Sequence, residues 1–253
     1  MRGHLVVAMI YKVTVAYDGS HYAGWQKQIN ALGIQEVIEK ALTKIHKKET
    51  EIVASGRTDA KVHALGQVFH FEADPLITPQ GYQKALNALL PKDIRICHIE
   101  QVNDDFHARF HAKWKCYEYI CTYQQNNPFI YNYKQVLLHH VDIDRMKEGA
   151  KIFLGDHDFT SFCSSKIDPR KPRVKHIQSI EIYKEQDDIH FIYIGNGFLR
   201  YQVRMMTGTL LALGQHRIEV DDLKTMLEAK DKHACRYNAS PEGLYLKEVR
   251  YES

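Results

Sequence analysis

Apolar residues recur at every second position in Tyr11-Lys12-Val13-Thr14-Val15-Ala16-Tyr17, a pattern that predicts a strand with Tyr11, Val13, Val15 and Tyr17 on one face. Asp18-Gly19-Ser20 closes it with a turn. The period then changes. Ile34, Val37, Ile38, Ala41, Leu42 and Ile45 fall at i, i+3, i+4, i+7, i+8 and i+11, the stripe of an amphipathic helix. Ile52-Val53 and the apolar run 68–72 read as strands on either side of a polar connection. Thr78 and Pro79 supply an N-cap and a first helical residue for a helix over 79–90, which Pro91 stops, and 94–99 reads as a further strand. The first hundred residues thus have a βαβαβ-like order, with links short enough for antiparallel pairing.

A turn at Asn103-Asp104-Asp105 divides the chain into predicted units 1–104 and 105–253. In the strand that follows, alternation puts Lys113, Lys115, Tyr117 and Tyr119 on one side and Trp114, Cys116 and Ile120 on the other. An exposed face that interleaves lysine with tyrosine is suited to RNA, because rings stack on bases while ammonium groups meet phosphates. A helix is expected over 143–154, with Asp142 or Asp144 near its start and Gly155 at its end. Asp156-His157-Asp158 reads as a turn network, since no third metal ligand stands at a fitting distance. The runs 177–185 and 189–195 form a predicted hairpin across Gln186-Asp187-Asp188. Next, a helix is expected from Gly197 to Leu213, closed by Gly214, with Arg200 and Arg204 embedded among apolar residues. An unpaired buried cation is costly, so these arginines call for anionic partners. A short helix over 220–228 follows.

Composition narrows the class. The 253 residues are 44% hydrophobic and 26% charged, as in a globular protein, and no apolar run approaches the ~20 residues of a membrane-spanning helix. The run Leu5 to Ile10 is too short for a signal-peptide core, and Met9 is a candidate natural start. Five cysteines without a Cys-x-x-Cys pair point to reduced thiols and a cytoplasmic setting. The net charge of +3 says little about nucleic acid by itself, but the cations are grouped. Lys40, Lys44, Lys47 and Lys48 form a stripe, and Lys166, Arg170, Lys171, Arg173 and Lys175 lie within ten residues. Such runs are solvated faces in many proteins and phosphate clamps in RNA-binding ones.

The polar connection between the two strands reads Ala54-Ser55-Gly56-Arg57-Thr58-Asp59-Ala60-Lys61-Val62-His63-Ala64, with Asp59 between two cations, Arg57 and Lys61. On local chemistry it is either a plain turn capped by Thr58 and Asp59 or a loop presenting a reactive carboxylate. The stretch resembles the active-site signature of the tRNA pseudouridine synthase A family, in which the aspartate matching Asp59 is catalytic. The resemblance extends to Tyr17-Asp18-Gly19 through Gly24-Trp25-Gln26, to Phe106-His107-Ala108-Arg109 with Lys113, Tyr117 and Tyr119, and to 155–163. It continues through Gly197 to Met206 and ends in the closing Gly243-Leu244-Tyr245-Leu246. Lys61 and His216 stand where the family more often has glycine. A left-handed backbone at Lys61 would cost about 1 kcal/mol.

The resemblance implies an α+β fold of two subdomains, with antiparallel sheets flanked by helices and an active-site cleft between them, in a homodimer. It implies a cytoplasmic enzyme that isomerises uridine to pseudouridine in the anticodon stem-loop of tRNA, at tRNA positions 38, 39 and 40. Asp59 would be the catalytic carboxylate and Arg204 its cationic partner, while Tyr117 would contact the target base and Leu244 would line the site. Arg57 is a candidate for holding the vacated stack. Arg109 and Lys113, with Arg170, Lys171 and Arg173 of the basic run, are the remaining candidates for substrate binding. The reaction breaks an N-glycosidic bond and forms a carbon–carbon bond without redox change or group transfer, so neither cofactor nor metal is expected. A carboxylate can act at the ribose as nucleophile or as base, and reaching the base requires its extrusion from the stack. A non-catalytic RNA-binding module would keep the basic faces without needing Asp59. A metal hydrolase built from the histidines would need a ligand spacing such as His-Glu-x-x-His, which the chain lacks.

Overall fold

The structure is a computed structural model that describes residues 8–168, 170 and 172–252. The chain forms two compact units, one comprising 1–112 and 246–253 and the other 113–245. The 103–112 segment thus belongs with the first unit, as do the residues from 246 onward. Two hydrogen bonds hold that segment there: the Ala108 N–H donates to His70 Nδ1 (3.1 Å), and the Tyr251 hydroxyl donates to the Ala108 carbonyl (2.7 Å).

In the first unit, β1 (Met9–Tyr17) pairs antiparallel with β3 (His63–Ala73) on one side and β4 (Ile94–Val102) on the other. The short β2 (Val53–Ala54) also pairs with β3. Tyr11, Val13, Val15 and Tyr17 are all buried, as the alternation requires. They face α1 (Ile34–His46) and α2 (Pro79–Leu89), whose apolar stripes supply Ile34, Ile38, Leu42, Tyr82 and Leu86. Tyr11 stacks on Phe71 (5.3 Å) and meets the Tyr82 ring edge-on (4.9 Å), so one aromatic cluster joins strands to helix. Thr78 caps α2, its hydroxyl accepting the Gly81 N–H at 3.1 Å.

In the second unit, β5 (Trp114–Thr122) pairs with β9 (Asp188–Gly195), β9 with β8 (Val174–Glu185) and β8 with β7 (Gly155–Asp158), all antiparallel. The two-residue β6 (Gln135–Val136) runs parallel to the end of β5. Helix α3 (Ile143–Ala150) is capped by the Asp142 carboxylate and continues as a single 3-10 turn to Phe153. It crosses α4 (Gln202–Gly214) closely at Gly149, where a Cβ would lie 2.3 Å from Leu213 Cδ2. Helix α5 (Val220–Glu228) begins with a capping box between Glu219 and Asp222, and β10 (Leu244–Arg250) ends the regular structure.

Three expectations are corrected here. The residues 155–158 form a strand and not a turn, because β8 begins at Val174 and offers Lys175 and His176 as partners to His157 and Asp156. Helix α4 starts at Gln202, five residues later than expected. Tyr201 takes a left-handed backbone (φ 70°), and the buried Gln202 side chain accepts the Leu199 N–H at 2.8 Å, so the chain turns before it coils. Arg200 is consequently exposed outside the helix. Finally, β5 does not present Tyr117 and Tyr119 to solvent. It pairs with β9 along its length and with β6 at Cys121 and Thr122, both rings are buried, and Tyr119 is fully enclosed.

Candidate active site

The residues 55–62 connect β2 to β3 and carry Arg57, Thr58 and Asp59. Two sets of interactions fix this loop from below and from the side. From below, Gln67 on β3 has a fully buried amide whose oxygen accepts the Ser55 hydroxyl (2.7 Å) while its nitrogen donates to the Gly56 carbonyl (3.1 Å). Leaving either group unmade in the interior would cost on the order of 1–3 kcal/mol, so the pair pins the loop's first turn. The Tyr17 hydroxyl bonds Thr58 Oγ1 at 2.8 Å, and burial pushes the Tyr17 phenol well above its ordinary pKa, keeping it protonated.

From the side, the segment after β1 lies directly against the loop backbone. The Trp25 N–H donates to the Thr58 carbonyl (3.1 Å) and the Lys61 N–H to the Tyr22 carbonyl (3.2 Å). Glycines make this approach possible. A Cβ on Gly24, whose φ is +95°, would lie 2.5 Å from the Thr58 oxygen, and one on Gly19 would lie 2.1 Å from the Val62 oxygen. Within the loop, the Val62 N–H donates to the Asp59 carbonyl at 3.1 Å, closing a turn in which Lys61 adopts φ 64°. Lys61 therefore sits in the left-handed region that glycine occupies without strain. His216, the other residue standing in for glycine, is also left-handed at φ 56°. The outcome is a half-buried Asp59 side chain on a backbone held at Ser55, Gly56, Thr58, Asp59, Lys61 and Val62, with Arg57 exposed beside it. The sequence marked Tyr17 and Gly24 by resemblance without placing them against this loop, and it did not single out Gln67. Gln67, a buried amide in an apolar strand, has a readable signal.

Arg109 lies in the 106–111 turn of the same unit, exposed, on backbone fixed to His70 and Tyr251. Burial and the neighbouring His107 hold His70 below the usual imidazole pKa, in the neutral state that lets Nδ1 accept.

In the second unit, Arg204 on α4 donates from Nε to the Ala239 carbonyl (2.8 Å), while the Ala239 N–H returns a bond to the Arg204 carbonyl (2.9 Å). Its guanidinium lies over the Tyr201 ring at 5.0 Å. The segment that follows Ala239 runs flat onto β5: the Tyr119 hydroxyl donates to the Ser240 carbonyl (2.7 Å), and a Cβ on Gly243 would be 2.7 Å from the Ile120 oxygen. This packing buries Leu244. Arg204 and Leu244 are thus tied to one segment, 239–244. Two positions before Tyr119 on β5, Tyr117 meets the Phe198 ring edge-on at 5.2 Å. Lys113 is exposed at the strand's entrance.

The basic run divides. Arg170 is fully exposed and grips Asp168 through Nε and Nη2 (3.1 and 2.9 Å), whereas Arg173 turns inward to Cys163 Sγ (3.1 Å) and the Ile167 carbonyl (3.4 Å). Lys171 lies outside the described residues. On α1, Lys40 is paired with Glu36 at 2.5 Å. Among the described residues, no group of three or more His, Cys, Asp or Glu side chains is arranged to hold a metal ion, and no helix is long and apolar enough to cross a membrane.

The first unit thus raises the Asp59 carboxylate on a firmly clamped loop, the kind of rigid support on which a reactive side chain is presented. The sequence model of the family described as tRNA pseudouridine synthase matches residues 13–111 and 150–252. A tRNA pseudouridine synthase A of Listeria monocytogenes serotype 4b is 46% identical over 246 residues, covering 96% of this chain and 99% of that one. One from an Exiguobacterium species is 43% identical over 241 residues, covering 95% and 97%. Among solved structures, a Cbf5–Nop10–Gar1 complex is matched at 15% identity with a TM-score of 0.39, over 79% of this chain and 45% of that chain. On the family match and the near full-length relatives, the chain belongs to the tRNA pseudouridine synthase family and is an isomerase.

Proposed function

We propose that the enzyme isomerises uridine to pseudouridine in the anticodon stem-loop of tRNA, with Asp59 as the catalytic carboxylate. The observation that carries this reading is the clamp on the 55–62 loop. A backbone held through Ser55, Thr58, Lys61 and Val62 fixes where the Asp59 carboxylate stands, and effective positioning is worth many orders of magnitude in rate. The carboxylate acts at the ribose while the N1–C1′ bond breaks. Uracil turns within the site, C5 bonds to C1′, the C5 hydrogen leaves as a proton and N1 gains one. Atoms and electrons balance without a co-reactant, which fits the expectation of neither cofactor nor metal.

Arg204 is the proposed source of positive charge that keeps Asp59 ionised. Tyr117 and Leu244 bound the target base, and Arg57 holds the stack from which the base departs. Arg109, Lys113 and Arg170 are proposed phosphate contacts. Arg173, which faces Cys163, is better suited to shaping the basic loop than to gripping phosphate. The protein is proposed to work as a homodimer in the cytoplasm.

Incubating the enzyme with tRNA tritiated at uridine C5 tests the assignment, because isomerisation releases tritium to water. Wild type should release it with and without EDTA, and Asp59→Asn should bind tRNA within a few-fold while releasing none. Residual release above a few per cent of wild type would move the chemistry away from Asp59. Binding without release by wild type would leave an RNA-binding module, and loss of release with EDTA would demand a metal.

A further inference from the structure

The 106–111 turn contains an aromatic arrangement that the reaction does not require. Phe110 is 74% exposed, yet its ring is held in place: it stacks on the His107 imidazole with centroids 4.1 Å apart and planes 29° from parallel. His107 also builds the turn. Its Nδ1 accepts the N–H groups of Arg109 and Phe110 (3.2 Å each), and its carbonyl accepts the N–H of His111 (3.0 Å). An imidazole is acting here as an N-cap acts on the first turn of a helix. Underneath, Phe106 packs edge-on against His70 (6.0 Å) and at a tilt against Tyr251 (5.1 Å), and Lys12 lies over both Phe106 and Tyr251. The exposed ring therefore stands on a base with little freedom, which lowers the entropy lost when something stacks on it.

The occupant follows from what surrounds the ring. The Arg109 guanidinium lies 5.9 Å from the Phe110 centroid, and the residues 106–113 carry Arg109, Lys113, His107 and His111 but no carboxylate. A protein partner needs a contiguous surface of roughly 800 Å² with an apolar centre. One ring flanked in sequence by an exposed arginine and an exposed histidine does not provide that. It does provide a π-face with a cation beside it, the pairing by which proteins hold an unstacked nucleotide. We infer that the His107–Phe110 stack is a base-stacking subsite for an unpaired nucleotide of the tRNA, with Arg109 placed for the adjoining phosphate; this rests on the tRNA substrate proposed above. His107 is its positioning residue.

Wild-type tritium release and tRNA affinity come first, and failure there strikes the substrate assignment and not this subsite. With wild type active, Phe110→Leu keeps apolar bulk and removes the π-face. It should raise the Kd for tRNA about tenfold and leave the single-turnover rate at saturating tRNA within about twofold. Phe110→Trp should retain affinity, and its added indole emission, taken against the wild-type background, should be quenched when tRNA binds. His107→Asn, whose Oδ1 can replace Nδ1 as acceptor, should bind better than His107→Leu. An unchanged Kd in Phe110→Leu, or unquenched emission in Phe110→Trp, overturns the subsite. A shift in sedimentation of Phe110→Leu toward smaller species also overturns it, giving the ring to a contact between copies of the chain. Should Phe110→Leu fail to fold, the quenching of Phe110→Trp decides alone.

Discussion

Gly24 and Asp59 are in backbone contact with no room for a side chain between them: a Cβ on Gly24 would lie 2.9 Å from the Asp59 carbonyl carbon. The contact is rigid on both sides, since Gly24 is left-handed and the Trp25 N–H is bonded to Thr58. Gly24→Ala should therefore displace the 58–60 backbone without touching any catalytic atom. A misplacement of about 1 Å can cost about a hundredfold in rate. The single-turnover rate should fall by about ten- to a hundredfold, while tRNA affinity measured by filter binding changes little. A variant with full rate would show that Asp59 tolerates movement.

Arg204→Met tests the source of charge on the carboxylate. Burial under a bound base pushes a carboxyl pKa up, toward the protonated form, and a nearby guanidinium opposes that shift. Losing the cation disfavours the ionised form, so the acidic limb of the single-turnover rate profile should move to higher pH, with partial recovery of rate at high pH. An equal loss at every pH would make Arg204 a packing residue, held by Ala239 and Tyr201, and would pass the role to Arg57.

The basic run is best tested one arginine at a time. Arg170→Glu removes an exposed guanidinium and should lower the slope of log affinity against log salt by roughly 0.7 to 0.9. Arg173→Glu breaks the contacts to Cys163 and Ile167 and should lower the melting temperature as well. An unchanged salt slope in Arg170→Glu would return that loop to ordinary solvated surface.

Acid sensitivity should follow His70. Its folded pKa is lowered by burial and by His107, so the unfolded chain takes up its proton first as pH falls. Stability is then complete above the unfolded value of about 6.5 and declines as pH falls from there through the folded value. His46, lowered by burial and by Lys48, adds a contribution of the same sign. Urea midpoints measured from pH 7 to 5.5 should drop in wild type and drop less in His70→Asn, which keeps an acceptor for the Ala108 N–H but cannot titrate in this range. Parallel curves would remove His70 from the account.

Strands and helices whose faces differ sharply in polarity were legible in the chain. The alternation of β1 fixes which of its residues are buried because a strand repeats every two residues, and α5 begins and ends at the predicted positions, Val220 and Glu228. The Asp59 loop was legible as a motif for the same local reason: its side chains are contiguous in sequence. Wherever a distant segment decides the environment, that information is absent from the local pattern. The Lys and Tyr alternation of β5 is that of an exposed face, yet Gln135, Ser240 and Phe191 enclose Tyr119, and Phe198 packs against Tyr117. The backbone of Tyr201 delays α4, and the pairing of β8 makes a strand of 155–158. The clamp on Asp59 is of this second kind. Gly24 and Gln67 are remote from Asp59 in sequence, and only folding brings a bare glycine backbone and a buried amide against the carbonyls of its loop.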